Sequence, residues 1–309
     1  MSDPMAEVVA LLQPSAPFSK MVEAAGAWRV QRPGSGQPFY SAVLEGACRF
    51  SADGHEPVVL EAGDFILIPS ARDFMSSSLT PPPSGATTTP TEVRPGEFRL
   101  GRQDGPPEVR MLAGYCEFGS SDAALLVSLM PPLVIVRGER RLSDLFRLLN
   151  EETRQQRPAR EMILSRLLEV LLIEALRRHE GAAASPGLLR GLGDARVAAA
   201  LRGIHASPSR AWTVAELARE AALSRSAFFE RFNRAVGLAP MEYLLGWRMA
   251  LAKDMLRRKA AGVGEIARRV GYSSASTFTI AFTRHAGMPP GRYAREASAQ
   301  QGESRELSL

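Results

Sequence analysis

The stretch that decides the fold is Ile266-Ala-Arg-Arg-Val-Gly-Tyr-Ser-Ser-Ala-Ser-Thr-Phe-Thr-Ile-Ala-Phe-Thr-Arg-His-Ala-Gly-Met-Pro-Pro-Gly-Arg-Tyr293. It has a near copy upstream. Shifted by 49 residues, Val214, Glu216, Leu217, Ala218 and Arg219 fall on Val263, Glu265, Ile266, Ala267 and Arg268. Shifted by 50, Ser224, Ser226, Phe228, Phe232, Arg234, Gly237, Pro240 and Tyr243 fall on Ser274, Ser276, Phe278, Phe282, Arg284, Gly287, Pro290 and Tyr293. One structural unit therefore occurs twice, with one extra residue in the turn of the second copy.

Each unit reads as a helix, a turn and a second helix. In the first unit, Val214–Ala222 is a short helix with an alanine-rich inner face. Ser224 caps the second helix, Arg225 to Val236, which stops at Gly237. In the second unit the matching helix is Ala275–Ala286, capped by Ser274 and stopped by Gly287. Phenylalanines four apart point inward in both (Phe228 and Phe232; Phe278 and Phe282). The opposite face then carries Ser226, Phe229, Glu230 and Asn233 in one unit and Ser276, Thr279, Ile280 and Thr283 in the other. Such faces suit a major groove of ~12 Å width. A helix over Met241–Arg258 holds the units at a fixed separation, and successive grooves lie ~34 Å apart. Arg225, Arg234, Arg248 and Arg284 are candidate phosphate contacts, or solvated surface charges. Glu230 either accepts from a cytosine amine or pairs with Arg234 one turn on.

Charge follows the same division. The chain has 309 residues and a formal net charge of +5. Residues 1–193 hold 20 Lys+Arg against 23 Asp+Glu, residues 194–295 hold 17 against 7, and residues 296–309 hold 1 against 3. A basic module follows a mildly acidic one, which is either a solvated face or a phosphate footprint.

The first half changes period. After a short amphipathic helix over 5–12, apolar runs at Trp28–Val30, Phe39–Leu44, Ala47–Phe50, Pro57–Leu60 and Phe65–Pro69 read as strands. Glu45-Gly46, Asp53-Gly54 and Ala62-Gly63-Asp64 supply turns, and the spacing suggests a sandwich or barrel. Residues 76–97, rich in Ser, Thr and Pro, read as a mobile loop. Two strands follow, near 109–113 and 115–118. Leu125, Leu126, Leu129 and Met130 suit a short helix stopped at Pro131-Pro132, and Leu142–Leu149 suit another. The helix Ala159–His179 is apolar around much of its circumference, which calls for burial in its own domain, at a dimer interface, or both. Residues 181–193 read as a linker.

The doubled unit resembles the AraC/XylS family of bacterial transcription regulators over residues 194–295. Its Gly271-Tyr272, its two phenylalanines, Gly287-x-x-Pro290 and terminal Tyr293 look like the family signature, as does Trp247-Arg248-Met249 followed by Ala252. The first half resembles the cupin-type sensor domain of many members through Val43-Leu-Glu-Gly-Ala-Cys-Arg-Phe50 and Leu60-Glu-Ala-Gly-Asp-Phe-Ile-Leu-Ile-Pro69.

The resemblance implies an α+β chain of two domains. A cupin-like β-barrel with a following helical pair forms an effector and dimerisation domain over 1–180. After the linker, an all-α double helix-turn-helix module over 194–295 binds DNA, and 296–309 is a flexible tail. It further implies a sequence-specific regulator, double-stranded promoter DNA as partner, a homodimer, an unidentified small-molecule effector, and RNA polymerase as a partner if the protein activates. The DNA-binding set is Ser224, Arg225, Ser226, Phe229, Glu230, Asn233, Arg234, Ser274, Ser276, Thr279, Ile280, Thr283 and Arg284. Many members carry arginine where this chain has Ile280, and an apolar side chain suits a thymine methyl rather than guanine.

Two other function classes are weighed: a metal-dependent cupin enzyme and a nonspecific nucleic-acid binder. Related sensor domains often carry a histidine where this chain has Asp73-Phe74. His55, His179, His205 and His285 show no metal-ligand spacing, so neither a metal, a cofactor nor a catalytic residue is expected. Cys48 and Cys116 are buried packing residues or a redox-sensing pair. No apolar run reaches the ~20 residues of a membrane span, and the Met-Ser-Asp-Pro start carries no secretory signal, so a cytoplasmic protein is expected.

Overall fold

The computed structural model describes residues 3–83, 85–120, 122–155, 157–179 and 185–297, without the side chains of 16–18 and 153–154. The first part of the chain carries a helix, α1 (Pro4–Leu12), and then strands β1 (Pro14–Ala25), β2 (Arg29–Arg32), β3 (Phe39–Glu45), β4 (Ala47–Ala52), β5 (Val58–Glu61), β6 (Phe65–Ile68), β7 (Phe74–Ser77), β8 (Thr91–Arg94), β9 (Glu97–Gly101) and β10 (Val109–Phe118). Helix α2 (Ala123–Ser128), strand β11 (Val134–Val136) and helices α3 (Arg140–Arg154) and α4 (Arg160–Arg178) follow. The strands form a seven-stranded sheet, β11-β6-β3-β10-β1-β9-β8, and a four-stranded one, β2-β7-β4-β5. This is the cupin-like sheet domain the sequence implies, with α3 and α4 as its helical pair.

Alternation builds the core between the sheets. Val22 and Ala24 of β1, Phe39 and Val43 of β3, Cys48 and Phe50 of β4, and Met111 and Ala113 of β10 share one buried cluster with Trp28. The β3–β4 turn needs glycine: Gly46 has φ +77°, and a Cβ there would lie 2.0 Å from the Glu108 carbonyl oxygen. Helix α4 buries Leu164, Leu168, Leu171, Leu172 and Ala175, yet leaves Met162 62% and Val170 41% exposed.

Four expectations are corrected. The 76–97 loop contains β8 and reaches β9. Strand β8 is exposed along its length, so no apolar alternation marks it, while β9 is held by parallel pairing with β1. Strand β1 carries no strand pattern at its start, where Pro14 and Pro17 break it; it pairs with β10 around a register shift between Ser15 and Phe18. The two short strands expected after residue 108 are one, β10. The 181–193 linker contains a helix, α5 (Leu188–Gly193). Its glycines read as flexible, but Gly191 is buried where a Cβ would meet Leu201 and Val236 at 2.9 Å, so the glycine permits close helix packing.

The remaining helices are α6 (Ala195–Ala206), α7 (Val214–Glu220), α8 (Arg225–Val236), α9 (Pro240–Arg257), α10 (Val263–Arg269) and α11 (Ala275–Ala286), and residues 290–297 are also helical. Most of the expected tail, residues 298–309, lies outside the described residues. By contact, the chain forms two compact units. One holds Leu12–Gly119 and Met130–Ser185; the other holds the chain from Pro186 together with the segment up to Leu11 and Ser120–Leu129. The division therefore does not follow chain order as the expected domain boundaries do.

Candidate nucleic-acid interface

The two repeats fold alike because their turns are alike. In the first, Ala222 takes φ +49° and the Leu223 amide donates to the Ala218 carbonyl. In the second, Gly271 takes φ +84° and the Tyr272 amide donates to the Ala267 carbonyl. The extra residue of the second turn is therefore absorbed after Tyr272. Glycine is needed there for a second reason: a Cβ would lie 2.6 Å from Arg248 Nη2 and 2.8 Å from the Ser209 carbonyl oxygen. Ser224 Oγ accepts from the Ala227 amide, and Ser274 Oγ from the Thr277 amide, so each second helix starts on a serine cap. Both end on left-handed glycines, Gly237 and Gly287.

Below these helices lie the cores. Phe228, Phe232, Phe278 and Phe282 are fully buried. In the first unit Phe232 meets Tyr243 edge-on at 5.9 Å, and in the second Phe282 meets Tyr293 in the same way at 5.5 Å. The Thr213 cap and Glu216 form a reciprocal capping box at the start of α7. Helix α9, eighteen residues and so ~27 Å long, separates the repeats.

The outward faces carry the sequence-derived set. Ser226, Phe229, Glu230 and Asn233 are exposed on α8, as are Ser276 and Ile280 on α11. Phe229 is 43% and Ile280 72% exposed, large apolar groups held in solvent. Thr279 and Thr283 are half-exposed, and their hydroxyls already donate, Thr279 to the Ala275 carbonyl and Thr283 to the Thr279 carbonyl, both at 2.7 Å. They offer an incoming base an acceptor oxygen and a methyl, not a free donor.

The arginines divide. Arg225, Arg234 and Arg284 are exposed and make no hydrogen bond or ion pair among the described residues, so all their donors face solvent. Glu230 does not pair with Arg234. Arg248, read from sequence as a phosphate contact, is instead committed inward: it donates to the carbonyls of Pro208 at 2.8 Å and Arg210 at 2.7 Å. Burial pulls its pKa down, against the opposing field of Tyr272. Arg231, not singled out in the sequence, pairs with Asp194, the cap of α6, at 2.6 Å.

Sequence reasoning also missed the polar ties that stiffen this unit. His205 is buried on α6; its Nδ1 lies 2.7 Å from Glu7 Oε2 and its Nε2 2.7 Å from the Tyr243 hydroxyl, with the Trp247 ring tilted against it at 4.0 Å between centroids. Lys253 Nζ donates to Asp122 Oδ1 at 2.5 Å, with His285 at 3.8 Å. In the sequence, only a histidine among the apolar positions of α6 and a lysine among those of α9 hinted at these.

Cys48 and Cys116 are both buried free thiols, and burial pushes each pKa up to about 12. Cys48 Sγ packs 3.7 Å from Met111 Sδ. These surroundings favour packing over thiolate chemistry. Among the described residues, no three His, Cys, Asp or Glu side chains cluster as metal ligands, and no helix is long and apolar enough to cross a membrane.

The chain matches a cupin family profile over residues 3–180 and a helix-turn-helix domain profile over residues 217–296. It is 35% identical over 300 residues to a protein of Streptomyces lividans described as an AraC-like transcription regulator, covering 94% of this chain and 97% of the relative. A Streptomyces antibioticus protein with the same description is 36% identical, covering 94% and 98%. Among solved structures, the DNA-binding domain of AdpA in complex with a target DNA is similar, with 26% identity, 35% of this chain and 96% of that one covered, and a TM-score of 0.33.

Proposed function

This chain belongs to the AraC-like transcription regulators, and from that premise we propose that α8 and α11 enter successive major grooves of one duplex. The observation that carries the reading is the equivalence of the two helices: the same caps, the same buried phenylalanine pair and the same exposed positions recur 50 residues apart. Ser226, Phe229, Glu230 and Asn233 read one half-site, and Ser276, Thr279, Ile280 and Thr283 the other, with Ser224 and Ser274 at the helix starts. Arg225, Arg234 and Arg284 hold phosphates. Ile280 and the methyls of Thr279 and Thr283 suit thymine methyl groups.

In this reading residues 1–180 sense a small molecule and dimerise, 194–295 bind DNA, and the protein acts in the cytoplasm without catalysis. It works as a homodimer, supported by the exposed Met162 and Val170 of α4, and meets RNA polymerase where it activates.

The test is affinity selection of random DNA on the full chain at near-physiological salt. The full chain is required because Glu7 and Asp122, far upstream, pack with the helices from Pro186 on. Recovery of one motif with two short elements a helical turn apart supports the reading. Unenriched DNA overturns sequence-specific recognition and leaves a nonspecific binder. Thr279→Ala then alters preference within one element; an unchanged motif and affinity overturn the assignment of that helix face.

A further inference from the structure

The protein repeats its helix-turn-helix, but the repeat breaks at one exposed position. A shift of 50 residues places Ser226 on Ser276 and Phe229 on Thr279, and it places Glu230 on Ile280. Glu230 and Ile280 each stand six residues past the serine that caps their helix. That is the N-terminal half of α8 and of α11, the part of such a helix that reaches base edges. Both side chains point into solvent, Ile280 with 72% of its surface exposed. Around them the two faces offer different chemistry. Glu230 makes no hydrogen bond or ion pair among the described residues, so its carboxylate is free to accept. Beside Ile280, the Thr279 and Thr283 hydroxyls donate to the helix's own carbonyls, and the Ser276 hydroxyl lies 2.9 Å from that of the Ser274 cap. That face presents methyl groups.

A carboxylate accepts and never donates. Of the four bases, cytosine alone shows the major groove a donor, its N4 amine, with no acceptor on the same base. Adenine sets N7 beside its N6 amine, and guanine and thymine present acceptor oxygens. Glu230 therefore selects cytosine, as much by repelling the other bases as by attracting this one. Ile280 neither donates nor accepts. It gains by covering an apolar group, and the C5 methyl of thymine is the one the groove displays. Cytosine carries its N4 amine where thymine carries O4, so the two contacts separate the pyrimidines at matched positions.

We infer that the DNA site does not repeat as the protein does: its two elements differ at the matched position, with cytosine facing Glu230 of α8 and thymine facing Ile280 of α11. The inference rests on the reading that both helices enter successive major grooves of one duplex. It adds the base each helix demands and the position at which the two elements part. Two copies of one half-site are a poorer target than this unequal pair. A cytosine under Ile280 forfeits the methyl contact, and a thymine under Glu230 sets its O4 against the carboxylate.

The experiment is affinity selection of random DNA on the full-length protein, run in parallel on wild type, Ile280→Glu and Glu230→Ile. Both positions are exposed, so neither change disturbs the core. The element that each substitution alters is the one its helix reads. Wild type is expected to recover cytosine in the α8 element and thymine at the matched position of the α11 element. Ile280→Glu should recover cytosine in both, and Glu230→Ile thymine in both. Replacing the wild-type thymine by deoxyuridine removes only its methyl. In titrations at fixed salt this should weaken wild-type binding about fourfold and make no difference to Ile280→Glu. Four results overturn the inference while a two-element motif leaves the regulator reading standing. They are one base at both matched positions, a base other than cytosine under Glu230, a motif unmoved by either substitution, and equal wild-type affinity for thymine and deoxyuridine. Recovery of no motif by the wild type overturns sequence-specific recognition, and this inference with it.

Discussion

Glu7 and His205 are 198 residues apart in the chain, yet the Glu7 carboxylate lies 2.7 Å from the His205 ring nitrogen. The histidine passes the tie on to the Tyr243 hydroxyl at the start of α9. A segment at the beginning of the sequence is thereby fixed to the frame that carries the first helix-turn-helix. The same segment runs through Gln13 directly into β1. Glu7→Gln keeps the size and removes the charge. It is expected to lower stability by about 1.5–3 kcal/mol, the range for a hydrogen bond to a charged group, measured by denaturant unfolding at neutral pH.

Asp122 makes the corresponding tie to the far end of α9. Burial raises its pKa, but His285 on α11 and Lys253 on α9 outweigh this, and the net shift is downward from 3.8. Its folded pKa is below its unfolded one, so its contribution is in place above pH 3.8 and is lost as pH falls through the folded value. Asp122→Asn leaves Lys253 buried without its counter-charge, an expected loss of about 3–5 kcal/mol at pH 7. Unfolding curves collected down the pH scale should show this difference closing below pH 3.8. A gap of constant size at all pH values would contradict the charge pairing.

Three exposed arginines and one committed arginine predict opposite phenotypes. Arg234→Ala and Arg284→Ala should weaken binding to all DNA sequences alike and reduce the slope of log affinity against log salt by about 1 each. Arg248→Ala should leave that slope unchanged. It removes the bonds to the Pro208 and Arg210 carbonyls, so the expected effect is a loss of about 2–3 kcal/mol in unfolding. A salt-slope change for Arg248→Ala would return it to the phosphate-contacting set.

With thiol pKa values near 12, roughly one part in 10⁴ of Cys48 or Cys116 is thiolate at pH 8. Neither should react with iodoacetamide in the folded protein, and both should react once guanidinium unfolds it. Mass spectrometry of the alkylated chain reads this directly. Rapid native labelling of either cysteine would reinstate redox sensing.

The doubled unit was legible because its information is local. Caps, helix stops and phenylalanine spacing are set within a dozen residues, so Ser224, Gly237, Ser274 and Gly287 fall where the sequence puts them. The sheet domain was less legible. Strand β8 is exposed on both faces, and the start of β1 is broken by prolines, so neither announces itself by the alternation that burial imposes; β8 exists through pairing with β9, and β1 through pairing with β9 and β10. The outward residues of α8 and α11 were found from periodicity, whereas the inward turn of Arg248 was not, because its partners are backbone carbonyls that any sequence supplies.

By itself, then, the sequence determined the helix-turn-helix repeat, its basic charge and the faces its two second helices present, since each follows from short-range spacing and composition. Only the tertiary structure decided which arginines are free and that Glu7 and Asp122 grip helices far down the chain. The physical reason is that burial and charge pairing depend on which distant segments meet. Spacing along the chain fixes the side a residue faces, and packing fixes what it finds there.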